Sequence, residues 1–372
     1  MKNKIILLGS FLLIGAFSLS AMQRPGLKMS DDYMAKQEMR MQKLEDHLQV
    51  ESRYYDYLPS LAANCYITAD ALVWAVNNRG WPYYIQIEPP GDPYEWNFKY
   101  RKLHFDPGFR VGFGFKTRFD WDAFFGYTFF HSTLKEQASS DDGLFGLYFG
   151  LPFQTVKTKY EMDYDMIDLE IGRPFHAGKY LAFKPYFGAR GGWIDQKGVN
   201  DYEGEITPPP FGIEDTVPAK NRFREKMWMI GPRAGMDGDF FFGKTGISIW
   251  GKLAGALLYL ETDNYLELFA TDVATSGMYL RNRITQKYSD LKATLQLACG
   301  LAWGDLLDDD QFGLSIRAGW EANYWWNQFH ESIFLRRVEL SPIGVFEETR
   351  DVFVDSQAMI IQGFTCSIRF DF

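Results

Sequence analysis

Cysteine is scarce in this chain, and acidic residues outnumber basic ones. The three cysteines, Cys65, Cys299 and Cys366, cannot all pair, and they form neither a CxxC motif nor the Cys and His spacing of a zinc site. We therefore expect no disulfide scaffold, no metal and no other cofactor. With 39 Lys and Arg against 48 Asp and Glu, the net charge is −9. Since binding to phosphates requires a basic surface, we expect no nucleic acid partner.

Long hydrophobic runs are also missing, except at the N-terminus. Lys2 and Lys4 precede an apolar run over residues 5–17, and the small residues Ser20 and Ala21 follow it. This order is typical of a secretory signal peptide, which we assign to residues 1–21. The run is shorter than the roughly 20 apolar residues of a spanning helix, and no later stretch reaches that length without charges. The sequence thus predicts an exported chain that is either soluble or a β-barrel.

Residues 22–60 differ in pattern from everything after them. Ser30 offers an N-cap, and apolar residues recur at near-heptad spacing from Met34 to Leu48. The run is too short for a coiled coil, so we expect a short amphipathic helix, docked on the body or lying in the periplasm, followed by a linker. Residues 61–372 are predicted to form one domain.

Aromatic residues are abundant, at 17% of the chain, which suits a protein that places amphipathic rings at a membrane surface. From Tyr66 onward, apolar residues alternate with small or polar ones in segments of ten or more residues. This alternation predicts ten strands, at residues 66–76, 108–116, 121–132, 156–171, 180–194, 226–238, 246–260, 286–303, 311–325 and 357–372. A hairpin drawn from residues 81–87, 96–104 or 143–150 would make twelve. A change of phase near Met166 indicates a bulge or a wrong boundary.

Short and long connections alternate between these strands. The long ones, at residues 195–225, 261–284 and 327–355, are predicted to be surface loops, and the short turns are predicted to face the periplasm. Antiparallel strands that cross a membrane give this alternation when one side has tight turns and the other large loops. The predicted fold is therefore all-β, a transmembrane antiparallel up-and-down barrel in the bacterial outer membrane.

The last residues of the chain alternate in the same way. Phe364, Ile368, Phe370 and the terminal Phe372 share one face. This pattern resembles the C-terminal signal of bacterial outer membrane proteins, which implies recognition by the barrel assembly machinery. We expect outer membrane lipid as a second partner, and a homo-oligomer stays open.

Several segments of the predicted barrel resemble one family. They are YITADALVW at 66–74, FDPGFRVGFG at 105–114, YDMIDLEIGRPF at 164–175 and PYFGARGGWIDQ at 185–196. These segments look like the pore-forming outer membrane proteins of Legionella and the major-outer-membrane-protein-like proteins of Chlamydia-related bacteria. The resemblance covers most of residues 66–372 and implies an outer membrane barrel described as a porin. It implies no catalytic residues.

Charged residues occupy the predicted inner face. The residues predicted to line a pore are Arg110, Lys184, Arg190, Arg233, Lys252, Lys292, Arg317 and Glu321. Five of the basic ones lie at roughly one depth: Arg110, Lys184, Arg233, Lys252 and Arg317. They form either a basic ring that favours anions or an ion network neutralised by Asp70, Asp168 and Asp237.

The sequence therefore predicts a porin-like protein for passive diffusion of small solutes or ions. The alternative is a structural or adhesin-type barrel without an open pore. An enzyme, a protease or lipase, is less favoured, because the candidate rim histidines are only His131, near Asp141 and Asp142, and His330, beside Glu331. We expect the chain not to be an enzyme.

Overall fold

A computed structural model describes residues 65–78, 83–87, 96–117, 120–145, 152–178, 180–205, 218–243, 245–272, 277–307, 312–340 and 346–372. These residues belong to a compact unit formed by residues 56–372. The predicted signal peptide and the predicted helix within residues 22–60 lie outside the described residues. Among the described residues, no helix is long and apolar enough to cross a membrane.

Strands make up most of the described chain. They are β1 (Cys65–Asn78), β2 (Tyr84–Ile87), β3 (Trp96–Lys99), β4 (Phe105–Lys116), β5 (Asp122–Phe145), β6 (Pro152–Gly172), β7 (Phe175–Ala177), β8 (Leu181–Glu205), β9 (Ala219–Phe241), β10 (Ile247–Asp272), β11 (Gly277–Leu307), β12 (Phe312–Leu340) and β13 (Phe346–Asp371). Ten of them pair antiparallel in chain order, β1, β4, β5, β6 and β8 to β13. β13 closes the barrel on β1, with Tyr66 opposite Asp371. The predicted ten-stranded barrel is confirmed.

The three remaining strands are short and lie outside the barrel order. β2 and β3 form a hairpin within two of the predicted candidate segments, but each has four residues, and β2 pairs with β5 at Ile85 and Phe145. Since β1 pairs directly with β4, this hairpin does not enter the barrel, and the count stays at ten. β7 pairs with β8 in the turn after β6.

Barrel strands extend much further than predicted at one end. The three predicted surface loops are largely strand: β8 runs to Glu205 and β9 starts at Ala219, only residues 273–276 separate β10 from β11, and only residues 341–345 separate β12 from β13. The loop prediction was wrong because it ended each strand where the apolar face was lost. In the extensions of β9 and β10 the apolar residues lie on the inner face instead, as Phe223, Leu266 and Leu268 do.

The outward face of the barrel has an apolar zone near one end. We call this end, with the short turns and the C-terminus, the turn end, and the opposite one the extended end. In β9 the outward residues Trp228, Ile230, Met236 and Phe240 are exposed. Their zone, which we call the belt, covers residues 228–240 in β9 and is at least as long as the roughly 9–11 residues of a strand that cross the hydrocarbon core of a bilayer.

Beyond the belt, the outward residues become charged or polar. In β9 they are Lys226, Arg224, Arg222 and Lys220, in order toward the extended end. β5 changes from Phe129 to His131, and β6 from Ile167 to Asp165. Charged and polar residues of this kind are typical of a surface that faces water.

Where the outer face changes from apolar to polar, the inner face changes from polar to apolar. Beyond the belt it holds an apolar core that includes Trp74, Phe130, Tyr164 and Trp325, all fully buried or nearly so. β6 keeps a continuous register with β5 and β8 around Met166, so the predicted bulge there is wrong. The apolar residues move from the outer to the inner face of β6, while the pairing register of its backbone stays continuous.

Two glycines let β11 and β12 approach closely. Gly300 lies opposite Gly319, and a Cβ on Gly300 would stand 2.0 Å from the carbonyl oxygen of Ala318. We expect Gly300→Ala to force the strands apart and to cost about 1–3 kcal/mol of stability. Gly251→Ala is the control, because its Cβ would have its nearest neighbour at 3.7 Å. Urea unfolding in micelles compares the two, and equal losses would contradict the expectation.

Candidate functional site

Paired charges fill the lumen inside the belt, and we call this set the charged layer. Its bases are Arg110, Lys184, Arg190, Arg233, Lys252, Arg317 and Arg369, and its acids are Asp70, Asp122, Asp168, Glu170, Asp237, Asp239, Glu321 and Asp371. Strand alternation turns them inward, because each lies one position away from an outward residue of the belt. One further base, Lys116, has its Nζ buried without a hydrogen-bond partner among the described residues. With it the charges balance.

Arg110 connects three strands on one side of the layer. Its Nη2 donates to Glu321 Oε1 at 2.8 Å, and its Nη1 donates to Asp70 Oδ2 at 3.2 Å. Glu321 is nearly fully buried and also accepts from Gln296 Nε2 at 2.5 Å. The guanidinium of Arg110 stands 5.6 Å from the ring centroid of Trp74, where the apolar core begins. Arg110 therefore lies where the charged layer meets the apolar core, and its charge-assisted bonds to Glu321 and Asp70 fix it there.

Two more arginines cross the opposite side. Arg190 binds Asp168 through both carboxylate oxygens, at 2.7 and 2.8 Å, and the Nε of Arg233 donates to Glu170 at 3.0 Å. Both guanidinium groups also donate to the side-chain oxygen of Gln296. Because that glutamine also donates to the carboxylate of Glu321, it joins the two sides of the layer. The network thus spans the lumen.

Small polar cavities lie on the turn-end side of this network. One has a volume of about 140 Å³ and is lined by Lys116, His176 and Asp239, among others. A second, of about 120 Å³, reaches up to Arg110 and Gln296. They share Lys184, Asp237, Arg317 and Arg369. Their walls carry both signs of charge.

The extended end of the lumen is occupied as well. Arg101, which follows β3, donates from Nη2 to Thr158 Oγ1 at 3.0 Å and to Asn200 Oδ1 at 3.3 Å. Both partners are buried inward residues of β6 and β8. The hydroxyl of Tyr202 donates to the backbone oxygen of Tyr83, the residue before β2. Tyr83 and Arg101, from the connection between β1 and β4, therefore reach inward residues of β6 and β8.

All eight residues predicted to line a pore face inward. The five predicted to form a basic ring are each paired with acids, and Asp70, Asp168 and Asp237 are among their partners. The prediction missed Asp122, Glu170 and Asp239 as partners. Alternation along the strands could have identified two of them. Glu170 lies two residues after Asp168 and Asp239 two residues after Asp237, so each is on the same inward face as an acid that was predicted. Lys292 lies apart from the layer, buried with its Nζ 4.0 Å from Asp290.

The other predicted positions fall on the outside of the barrel. Phe364, Ile368 and Phe372 are exposed outward residues of the belt, and Phe370 stacks on Phe372. His131 contacts Asp163 and Thr133. The side chains of the other enzyme candidates, at positions 141, 142, 330 and 331, lie outside the described part. Among the described residues, no cluster of His, Cys, Asp and Glu is arranged to hold a metal ion.

Comparison with known families places this barrel. A family model described as Legionella pneumophila major outer membrane protein precursor matches residues 57–370. The chain belongs to this family. It is a protein of the bacterial outer membrane. A comparison with curated proteins found no match.

Solved barrels with similar folds have little sequence in common with this family member. The outer membrane protease OmpT from Escherichia coli is 10% identical, with a TM-score of 0.39, covering 84% of this chain and 98% of that one. The translocator domain of the autotransporter NalP from Neisseria meningitidis is 13% identical, with a TM-score of 0.30, covering 92% and 98%. A Pseudomonas aeruginosa FadL homologue is 11% identical, with a TM-score of 0.25, covering 84% and 91%.

Removing one partner from the charged layer should be costly. We expect Glu321→Gln to destabilise the barrel by about 3–5 kcal/mol, because it leaves Arg110 buried with less compensating charge. The control is Glu203→Gln, which removes the exposed pair of Lys157 and Glu203, 2.7 Å apart, and should cost no more than about 1 kcal/mol. Urea unfolding measures both. Similar small losses would mean that the layer does not stabilise the barrel.

Glu225 makes stability depend on pH beyond the belt. It is an inward residue of β9 between the outward Arg224 and Lys226, and burial raises its pKa from 4.5 to about 7, with Lys292 opposing the shift. The folded state therefore binds this proton more tightly than the unfolded chain does, and stability falls as the pH rises from about 4.5 to about 7. The loss is at most about 3 kcal/mol. Glu225→Gln should abolish it in unfolding curves at pH 5 and pH 8, and an unchanged pH dependence would exclude Glu225 as the cause.

Proposed function

We propose that this outer membrane barrel is sealed to solutes and acts at the cell surface as a structural or adhesin-type protein. The filled interior is the observation that carries the proposal. Inside the belt lies the charged layer, and above it lies the apolar core with Trp74 and Trp325 fully buried. Ten strands also enclose little more space than eight, whose interior side chains can fill.

Passage through this interior would be unfavourable at both levels. An ion that entered the charged layer would have to separate Arg110 from Glu321 or Arg190 from Asp168, which are bonded at 2.7–2.8 Å. It would then have to lose its water in the apolar core, which costs several kcal/mol or more. The balanced charge of the layer offers neither anions nor cations a compensating attraction.

Long strand extensions support a role at the surface. Beyond the belt the barrel continues with polar residues outside and its own apolar core inside, as in a water-soluble barrel. Cross-strand ion pairs cover this outer surface, such as Lys287 with Asp263 at 3.0 Å and Arg283 with Glu267 at 2.7 Å. We place the extended end at the cell exterior, because outer membrane barrels keep their short turns in the periplasm and project their longer parts outward. This part then presents its surface to partners outside the cell.

A porin is the second candidate. The two polar cavities at the turn end favour it, because they are lined by charged side chains and reach as far as Arg110. Conduction would then require the pair of Arg110 and Glu321 to separate and the core around Trp74 and Trp325 to open. Passive diffusion of small ions fits such a narrow path better than diffusion of larger solutes.

Planar-bilayer recording of the refolded chain separates the two candidates. We expect current at the level of the protein-free bilayer, with insertion checked by resistance to trypsin and by heat-modifiable migration in gels. Unitary conductance steps would overturn the sealed barrel and favour the porin. In that case, Arg233→Glu with Arg317→Glu should shift the reversal potential in a salt gradient toward cations, if these residues line the path.

We also propose the partners that the sequence predicts. Lipid chains contact the apolar residues of the belt, and the barrel assembly machinery recognises the alternating residues that end at Phe372. The outward exposure of Phe364, Ile368 and Phe372 supports both roles, because one apolar face is available before and after insertion.

A further inference from the structure

A relay of three side chains lies on the outer surface of β5 and β6. The imidazole Nδ1 of His131 is 2.6 Å from Asp163 Oδ1, and its Nε2 is 3.0 Å from Thr133 Oγ1. The tautomer that satisfies both contacts donates from Nδ1 to the carboxylate and accepts the threonine proton at Nε2. A carboxylate, an imidazole and a hydroxyl in this order are the parts of a nucleophile activated by a general base.

Strand geometry accounts for the arrangement. His131 and Thr133 are two residues apart on β5, so their side chains lie on the same face, and Asp163 lies directly opposite His131 on β6. All three side chains are outward and at least partly exposed. A substrate can therefore reach the hydroxyl without any opening of the barrel.

The relay lies at the border between the belt and the water-facing extension. The outward residue before His131 on β5 is Phe129, and on β6 the apolar residues begin two positions beyond Asp165, at Ile167. In a bilayer this border is the level of the headgroups and of the ester bonds just beneath them. An acyl ester of a membrane lipid is thus the electrophile closest to Thr133.

Charges of both signs lie near the hydroxyl, and Glu161 is the residue directly opposite Thr133 on β6. The next outward residue of β5 is Lys135, and it lies opposite Lys159 on β6. Lys159 forms an ion pair with Glu161 at 2.5 Å, whereas the Lys135 ammonium is exposed. An ammonium on this side of Thr133 would stabilise the negative oxygen that forms when the hydroxyl adds to a carbonyl.

We propose that Asp163, His131 and Thr133 hydrolyse acyl esters of glycerophospholipids in the membrane leaflet at the extended end. Thr133 Oγ1 attacks the ester carbonyl carbon while its proton passes to His131 Nε2. The tetrahedral intermediate collapses, the lysophospholipid leaves with that proton, and the acyl group stays on Thr133. Water then attacks the carbonyl carbon of the acyl-threonine and gives one proton to His131 Nε2. The bond from that carbon to Thr133 Oγ1 breaks, His131 returns the proton to Oγ1, and the fatty acid is released. Asp163 acts as a positioning residue, because it holds the imidazole in the required tautomer.

The test uses the full-length chain folded into vesicles of phosphatidylethanolamine and phosphatidylglycerol that carry a fluorescent acyl chain. We expect release of labelled fatty acid above the rate in protein-free vesicles. Thr133→Ala and His131→Ala should each lower that release at least about 100-fold. Thr133→Ser, which keeps a hydroxyl, should retain it, and Asp163→Asn should lower it.

A matched control comes from a second histidine and aspartate pair. His104 Nε2 lies 3.4 Å from Asp106 Oδ1, and among the described contacts no hydroxyl binds its ring, so His104→Ala should leave the release unchanged. A fluorophosphonate probe offers a second readout, since it should label Thr133 in the parent chain and not in the His131→Ala variant. No release by the parent above protein-free vesicles would overturn the proposal. Equal release by the parent and the Thr133→Ala variant would do the same.

Discussion

Successive side chains of a β-strand point to opposite faces along its whole length. Each long strand of this barrel has a surrounding that differs between its two ends. Near the turn end, lipid lies outside and charged groups lie inside. Near the extended end, water lies outside, and the apolar residues must move to the inner face. β6 meets this constraint without a bulge at the border, as its continuous register around Met166 shows, whereas the pairing of β12 with β13 shifts register between Trp325 and Phe329. The belt, the charged layer and the apolar core are all consequences of this one exchange.

The charged layer resolves a difficulty that the exchange creates. Polar residues inside the belt must be buried because the barrel is narrow, and an unpaired charge there would cost several kcal/mol. Bidentate pairs such as Arg190 with Asp168 offset that cost, and Gln296 connects groups from both sides. A buried ion network is weak support for high stability, but it defines which strands can be neighbours. Arg110 meets its two acids only if β4, β1, β13 and β12 are adjacent in that order.

The sequence predicted the barrel and its inward charges because period-two alternation is a local property. Ten strands, closure and the positions of Arg110, Lys184 and Arg317 all followed from it. The strand extensions did not, because their apolar residues were sought on the wrong face. Contacts such as that of Arg101 with Thr158 and Asn200 were also out of reach. They join segments far apart in the chain, and no local pattern specifies which lumen group a connecting segment will meet.

The same limit applied to His131. Its neighbours in sequence drew attention to Asp141 and Asp142, whereas its contacts are Asp163, which the pairing of β5 with β6 places opposite it, and Thr133 on its own strand. Register between strands was not available from the sequence, since a shift of one residue turns every side chain to the other face. Candidate sites that depend on a cross-strand partner therefore need the pairing to be known.

The length of the extensions sets how far the loops stand from the lipid. In β10, residues 261–272 lie beyond the belt, and at about 3.4 Å per residue with the tilt of a barrel they rise roughly 30 Å. With this end at the cell exterior, as we propose, the strand wall itself stands that far above the bilayer. Antibodies or phage would then meet this wall first, and changes among its outward polar residues would alter recognition without disturbing the wall that crosses the membrane.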